Sequence, residues 1–186
     1  MGSIVGITGT PGTGKKSVAP LVAKELAVKC VSLNEFALSQ GLVAQSENEG
    51  EVDAGALRLQ LRQHLRAPAV VYGHLLPYSL SRAQVSMVAV LRCEPGVLKE
   101  RLVNRGYAER KVIDNVEAEL IGLLSADAYD AFGKGKTFEV DTTYTSPDEA
   151  AERIGGTLAR RRAPKSRIDW TTNYDSGRKL SSLLSY

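Results

Sequence analysis

The chain has 186 residues, 43% of them hydrophobic and 24% charged, with a formal net charge of +3 and two cysteines. That length can bury one sizeable core and is short for two, so one compact domain is expected. Cys30 and Cys93 lie far apart with no paired-ligand spacing, and no run reaches the roughly 18 apolar residues of a membrane span, so neither a zinc or disulfide framework nor a membrane protein is indicated. The expectation is a reducing, cytoplasmic setting with no targeting segment.

In chain order, the first apolar stretch, Ser3 to Thr8, reads as a strand, continuous as a strand buried on both faces should be. The glycine-rich run TGTPGTGKKS follows at 8–17, and Lys15 to Ala27 reads as a helix. Lys29 to Leu33 is a second strand, and the polar QSENEGEVD at 45–53 reads as a loop. Ala54 to Arg66 is helical, with Leu57, Leu61 and Leu65 on one face and Arg58, Arg62 and Arg66 on another. Ala69 to Tyr72 and Val85 to Leu91 are further strands. Helical spacing returns over Pro95 to Asn104 and over Arg110 to Phe132. A fifth strand covers Thr137 to Val140, and the last helix spans Pro147 to Arg162, with Ser146 as N-cap and Pro147 at its first position. The tail, 169–186, holds the single tryptophan, Trp170, and is expected to dock because an indole finds cover.

Five strands alternating with helices imply a three-layer α/β/α fold on a five-stranded parallel sheet, with ligands at the carboxyl ends of the strands. Leu158 to Ile168 contributes five positive charges and no acid, so within a net +3 the rest of the chain carries −2. Such a cluster can grip RNA phosphates or an acidic partner, or be a solvated helix end.

Gly9, Gly14 and Lys15 satisfy G-x-x-x-x-G-K between a predicted strand and a predicted helix, the context a phosphate-binding loop requires. Glycines let backbone N–H groups turn around phosphate oxygens, the helix N-terminus adds partial positive charge, and Lys15 can bridge the terminal phosphates. Most such loops follow the lysine with a hydroxyl that ligates Mg²⁺. Here Lys16 follows, and an ammonium has only donors. With Ser17 one place later, GTPGTGKKS resembles the loop of adenylate kinases. There is no N-K-x-D guanine signature.

The resemblance becomes specific in seven further stretches in register: VSLNEFA at 31–37, ENEGEVD at 47–53, GHL at 73–75, RLVNRGY at 101–107, KVIDNVEAEL at 111–120, VDTT at 140–143 and DW at 169–170. Together they resemble adenylate kinase isoenzyme 6, the coilin-interacting nuclear ATPase family, and especially its archaeal members. The resemblance implies a P-loop nucleoside monophosphate kinase fold over 1–168, with an acceptor-binding arm at about 34–66, a lid at about 101–115 and a separate tail. It implies ATP plus AMP phosphotransfer to ADP, ATPase activity, and Mg²⁺ held with ATP mainly through phosphates and water, with no protein metal ligand. It also implies a role in small ribosomal subunit maturation, in complex with ribosomal protein eleven of that subunit, which would leave the basic cluster Arg160, Arg161, Arg162, Lys165 and Arg167 free for ribosomal RNA.

Carried over by position, Gly9, Thr10, Pro11, Gly12, Thr13, Gly14, Lys15, Lys16 and Ser17 would hold the phosphates of ATP. Lys15, His74 and Arg105 would act in catalysis, and Asn34, Glu35 and Arg101 would bind the substrate. Glu35 could instead cap a helix, and His74 could be an ordinary surface histidine. Arg101 and Arg105, four apart, share a helical face and with Arg110 can enter the lid, where forked guanidinium donors match the charge of a moving phosphoryl group. Asn115, Glu117 and Glu119 would organise the lid helix, since a carboxylate beside a triphosphate repels it. The departure is Tyr72, where the family places an aspartate that organises hydrated Mg²⁺. Tyrosine is neutral at pH 7 and a poor Mg²⁺ ligand. An alternative reading is therefore a nucleotide-gated assembly chaperone with little catalysis, and a third is a small-molecule kinase with an acceptor such as shikimate or cytidylate.

Overall fold

The structure, a computed structural model, describes residues 4–42, 52–174 and 176–185. Its centre is a parallel sheet of β1 (Ile4–Thr8), β2 (Lys29–Ser32), β3 (Ala69–Tyr72), β4 (Val85–Arg92) and β5 (Thr137–Asp141), in the order β2-β3-β1-β4-β5. All four pairings are parallel. From β1 the sheet grows one way through β3 and the other through β4. The carboxyl end of β1 is therefore the switch point where such sheets open a crevice.

One face of the sheet packs on α1 (Lys15–Glu25) and α8 (Pro147–Arg160), burying Val18, Val22, Ala150 and Ile154 against Val5, Ile7 and Leu91. The opposite face carries α2 (Leu33–Ser39), α3 (Ala54–His64), α4 (Leu76–Ser79) and α7 (Leu123–Phe132), with Leu57, Leu61, Leu76 and Phe132 in its core. Three layers result. Ser146 and Pro147 start α8 as expected, in a reciprocal capping box with Glu149.

The helix predicted over Arg110 to Phe132 is two helices, α6 (Glu109–Leu120) and α7. Gly122 takes φ 68°, a left-handed conformation that ends one helix and re-aims the next. α6 can then pack with α5 (Pro95–Asn104) in a third cluster, while α7 lies on the sheet. The segment after Leu33 is also helical, as α2, capped by Ser32.

The tail docks, as Trp170 suggested. Trp170, just before a 3-10 turn (Thr171–Tyr174), Tyr174 on that turn, and Leu180 and Leu183 on α9 (Gly177–Leu184) join the apolar cluster of α5 and α6. Among the described residues no helix is long and apolar enough to cross a membrane.

Candidate active site

The loop between β1 and α1 is shaped by its glycines. Gly9 (φ 140°), Gly12 (φ 93°) and Gly14 (φ 100°) occupy backbone conformations that side-chain-bearing residues rarely adopt. A Cβ on Gly12 would stand 2.6 Å from Leu98 of α5, so this glycine also permits close approach of the α5–α6 pair. The turn is closed by Thr13, whose N–H and hydroxyl both donate to the Thr10 carbonyl, at 3.2 and 2.8 Å. Lys15 folds back over it, donating from Nζ to the carbonyls of Gly9 at 2.6 Å and Thr10 at 2.9 Å. Pro11 is half-buried on the loop, whereas Lys16 and Ser17 are exposed on the first turn of α1.

Burial pulls the Lys15 ammonium down to about 8; the Glu119 carboxylate opposes that fall, and Arg105 adds to it. A triphosphate entering the loop would relieve this cost by supplying negative charge. His74, at the end of β3, is held below its ordinary value by burial and by Lys15, so a neutral imidazole stands within electrostatic reach of the lysine. Gly73 makes this possible: its N–H donates to the Ile7 carbonyl, and a Cβ there would press on Leu33.

On the β5 side of the loop lies a cleft of about 210 Å³ lined by Gly14, Ser17, Arg101, Arg105, Thr142 and Thr145. Arg101 and Arg105 therefore share a face as their spacing implies. Arg101 is already engaged, donating to the carbonyls of Thr142 (2.9 Å) and Thr143 (2.7 Å) and to Cys93 Sγ. Asn34 and Glu35 stand exposed on the first turn of α2, beyond the far edge strand. Arg101 lies on the opposite side of the loop from them, because α5 follows β4. Ser32, not Glu35, caps α2. Ser32 also pairs with Tyr72, which brings the start of α2 beside the Gly73–His74 corner. Of the acidic run, 47–51 lies outside the described residues, and Asp53 is the N-cap of α3.

Tyr72 pairs with Ile7 and Ser32 and packs half-buried against the apolar cluster under α1. Ser17 is one of the hydroxyls that line the cleft, with those of Thr13, Thr142 and Thr145. Among the described residues no three His, Cys, Asp or Glu side chains gather where they could hold a metal ion. This donor set fits Mg²⁺ carried by phosphate oxygens and water, with Ser17 the residue that would face it.

The loop's supports were not apparent in the sequence. Arg92, buried at the end of β4, pairs with Glu119 (2.7 Å) and Glu139 (3.4 Å), and Thr142 Oγ1 lies 2.9 Å from the Thr13 carbonyl. A charged residue closing the otherwise apolar run VSMVAVL was the one available signal.

Residues 5–122 match the family model of an AAA domain. Proteins named "Putative adenylate kinase" match over nearly the whole chain. That of Thermococcus kodakarensis is 36% identical over 92% of this chain and 95% of its own. The Pyrococcus abyssi protein is 36% identical over 92% and 93%. This chain belongs to that archaeal P-loop family. Among solved structures, the family member resembles the shikimate kinase of Acinetobacter baumannii in complex with shikimate (TM-score 0.63, 15% identity, 85% of this chain and 93% of that one). It also resembles a gluconokinase of Sinorhizobium meliloti (TM-score 0.54, 20% identity, 94% and 97%). At such identities the likeness concerns the fold, which is the α/β P-loop kinase fold.

Proposed function

We propose that this protein is a nucleoside monophosphate kinase that transfers the γ-phosphoryl group of ATP to AMP and also hydrolyses ATP. The carrying observation is the position of Lys15: it closes the phosphate loop with an arginine-lined cleft on one side and the His74 corner, with Asn34 and Glu35, on the other. In transfer, an AMP phosphate oxygen bonds to the γ phosphorus as the bond to the β,γ-bridging oxygen breaks, leaving two ADP. Lys15 tracks the charge on the moving group, Arg105 adds guanidinium donors, and His74 orients the acceptor or, in hydrolysis, a water. Mg²⁺ bound with ATP offsets charge on the β and γ phosphates. Relatives named "Putative adenylate kinase" support this reading. ADP production from ATP, measured with and without AMP, tests it: production that requires AMP supports the kinase, and phosphate release indifferent to AMP reduces the activity to an ATPase.

The chaperone reading has one observation in its favour, because Tyr72 offers the metal no carboxylate. Tyr72→Asp should then raise turnover about tenfold at limiting Mg²⁺, roughly 1.4 kcal/mol, and less at saturation. Calorimetry should show tighter Mg²⁺-dependent ATP binding in the same variant. A rate and affinity equal or lower at every Mg²⁺ concentration would mean that the ring's packing against the core matters and a metal anchor does not.

The proposal extends to ribosome assembly as a member of the coilin-interacting ATPase branch, with ribosomal protein eleven and ribosomal RNA as partners. Arg160, Arg161, Arg162 and Lys165 are exposed at and just past the end of α8, whereas Arg167 is occupied over the Tyr129 ring and beside Glu139. Replacing those four by alanine should release ribosomal RNA at moderate salt. Unchanged retention removes RNA from the partners. Pull-down of ribosomal protein eleven should weaken when Glu47, Glu49 and Glu51 are neutralised, and undiminished capture would sink docking through that run.

A further inference from the structure

We propose that Glu119 is a positioning residue of the phosphate loop and that the C-terminal segment acts on the loop through it. The proposal rests on the reading of the loop as a triphosphate site.

Glu119 lies in the last turn of α6 and is 1% exposed. Its Oε2 accepts a 2.6 Å hydrogen bond from the Thr10 hydroxyl. Its Oε1 accepts from Arg92 Nε at 2.7 Å, from the Cys93 N–H at 3.0 Å and from Trp170 Nε1 at 3.4 Å. One buried carboxylate thus touches the loop, the end of β4 and the chain that follows α8. Neutralising Arg92 does not account for this, because Arg92 has a second carboxylate in Glu139 and the oxygen that meets Thr10 is not the one that meets Arg92 Nε.

Thr10 is the residue whose position matters most to the loop's interior. Its carbonyl receives both the Lys15 ammonium and the Thr13 N–H and hydroxyl. Pinning the Thr10 side chain therefore pins the acceptor around which Lys15 and Thr13 are arranged, and pre-arranged donors need no reordering when charge arrives. The charge acts as well. Lys15 faces Glu119 from α6, Arg105 from the end of α5 and His74 after β3, and of these only Glu119 favours its protonated form.

The other side of the carboxylate belongs to the C-terminal segment. Ile168 donates its N–H to Glu139 and accepts from Arg92 through its carbonyl, and Trp170 packs with Tyr174 and Leu183 on α5 and α6. Lifting that segment would strip Glu119 of one donor and open its cover, loosening Thr10. A macromolecule that takes hold of the tail would thereby alter nucleotide binding from outside the cleft.

The test uses the full chain, ATP with Mg²⁺, calorimetry and indole emission, since Trp170 is the single tryptophan. ATP should change Trp170 emission over the same concentrations that give calorimetric binding. Thr10→Val should abolish that response and weaken ATP binding about tenfold, the scale of one hydrogen bond to a charged group. Trp170→Phe keeps an aromatic ring, though a smaller one, and loses the donor, and should weaken binding about threefold. Glu119→Gln keeps one oxygen for the Arg92, Cys93 and Trp170 donors, turns its amide NH2 to the Thr10 hydroxyl, and loses the charge. Between about pH 7 and about pH 9, where the triphosphate stays ionised, its fall in ATP affinity should begin at lower pH than in the parent. If ATP binds while Trp170 emission stays constant, and the three variants alter melting temperature without moving affinity or its pH midpoint, Glu119 is a structural counter-charge and the proposal fails. Absence of ATP binding by the parent chain would instead overturn the reading of the loop itself.

Discussion

Lys15→Ala is expected to abolish productive ATP turnover, lowering kcat/KM by about a thousandfold or more, on the order of 4 kcal/mol of transition-state stabilisation. The ammonium sits over the Gly9 and Thr10 carbonyls at 2.6 and 2.9 Å, so it is aimed before nucleotide arrives. Lys16→Ala is the internal control. Lys16 is exposed on the outside of α1 and supplies long-range charge, so its loss should raise Kd by less than about tenfold and leave kcat intact. Equal damage from the two substitutions would mean that the loop is read one residue out of place.

The same substitution carries a stability signature that separates lost chemistry from lost fold. Lys15 falls from an ordinary value of 10.5 to about 8 in the folded protein. Between those values the unfolded chain binds more protons, so the burial penalty is full below about 8 and stability rises with pH through the window. Lys15→Ala should keep or raise the melting temperature at neutral pH and lose that rise. A variant that melts earlier at pH 7 would show that the lysine supports the loop as well as the reaction.

Gly9→Ala should be the most disruptive change at a single glycine of the loop. Its Cβ would stand 2.3 Å from the Leu91 carbonyl oxygen and 2.9 Å from Thr13 Oγ1, at φ 140°. Leu91 belongs to β4, held between β1 and β5 inside the sheet, so its carbonyl cannot step aside, and the loop must move instead. We expect a loss of about 3 kcal/mol or more, about 6–12 °C in melting temperature, together with loss of ATP binding. Gly14→Ala provides the comparison: at φ 100° it has nothing within 4 Å of the added atom and should cost only backbone strain, about 1–2 kcal/mol. Thermal melts of the two variants decide the matter, and a Gly9→Ala protein as stable as Gly14→Ala would show that the turn can open away from β4.

Much of this protein was legible in its order of residues. Short apolar runs become strands because a strand covered on both faces has no polar side to display, and all five lie within a residue or two of where composition puts them. The glycine spacing before Lys15 and the Ser146–Pro147 start of α8 are equally local, set by backbone conformation and capping within a few residues. What only the tertiary structure decided lies between residues far apart in the chain. Periodicity runs unbroken from α6 into α7, and the break at Gly122 follows from two different surfaces needing cover, the α5 cluster and the sheet. Arg101 reads equally well on either side of the loop until strand order places it beside β5. The hydrogen bond between Thr10 and Glu119 joins residues 109 positions apart, and no local pattern encodes it. A buried carboxylate acquires its partners only when sheet, helix pair and C-terminal segment have packed, because only then is water gone and each of its lone pairs in need of a donor.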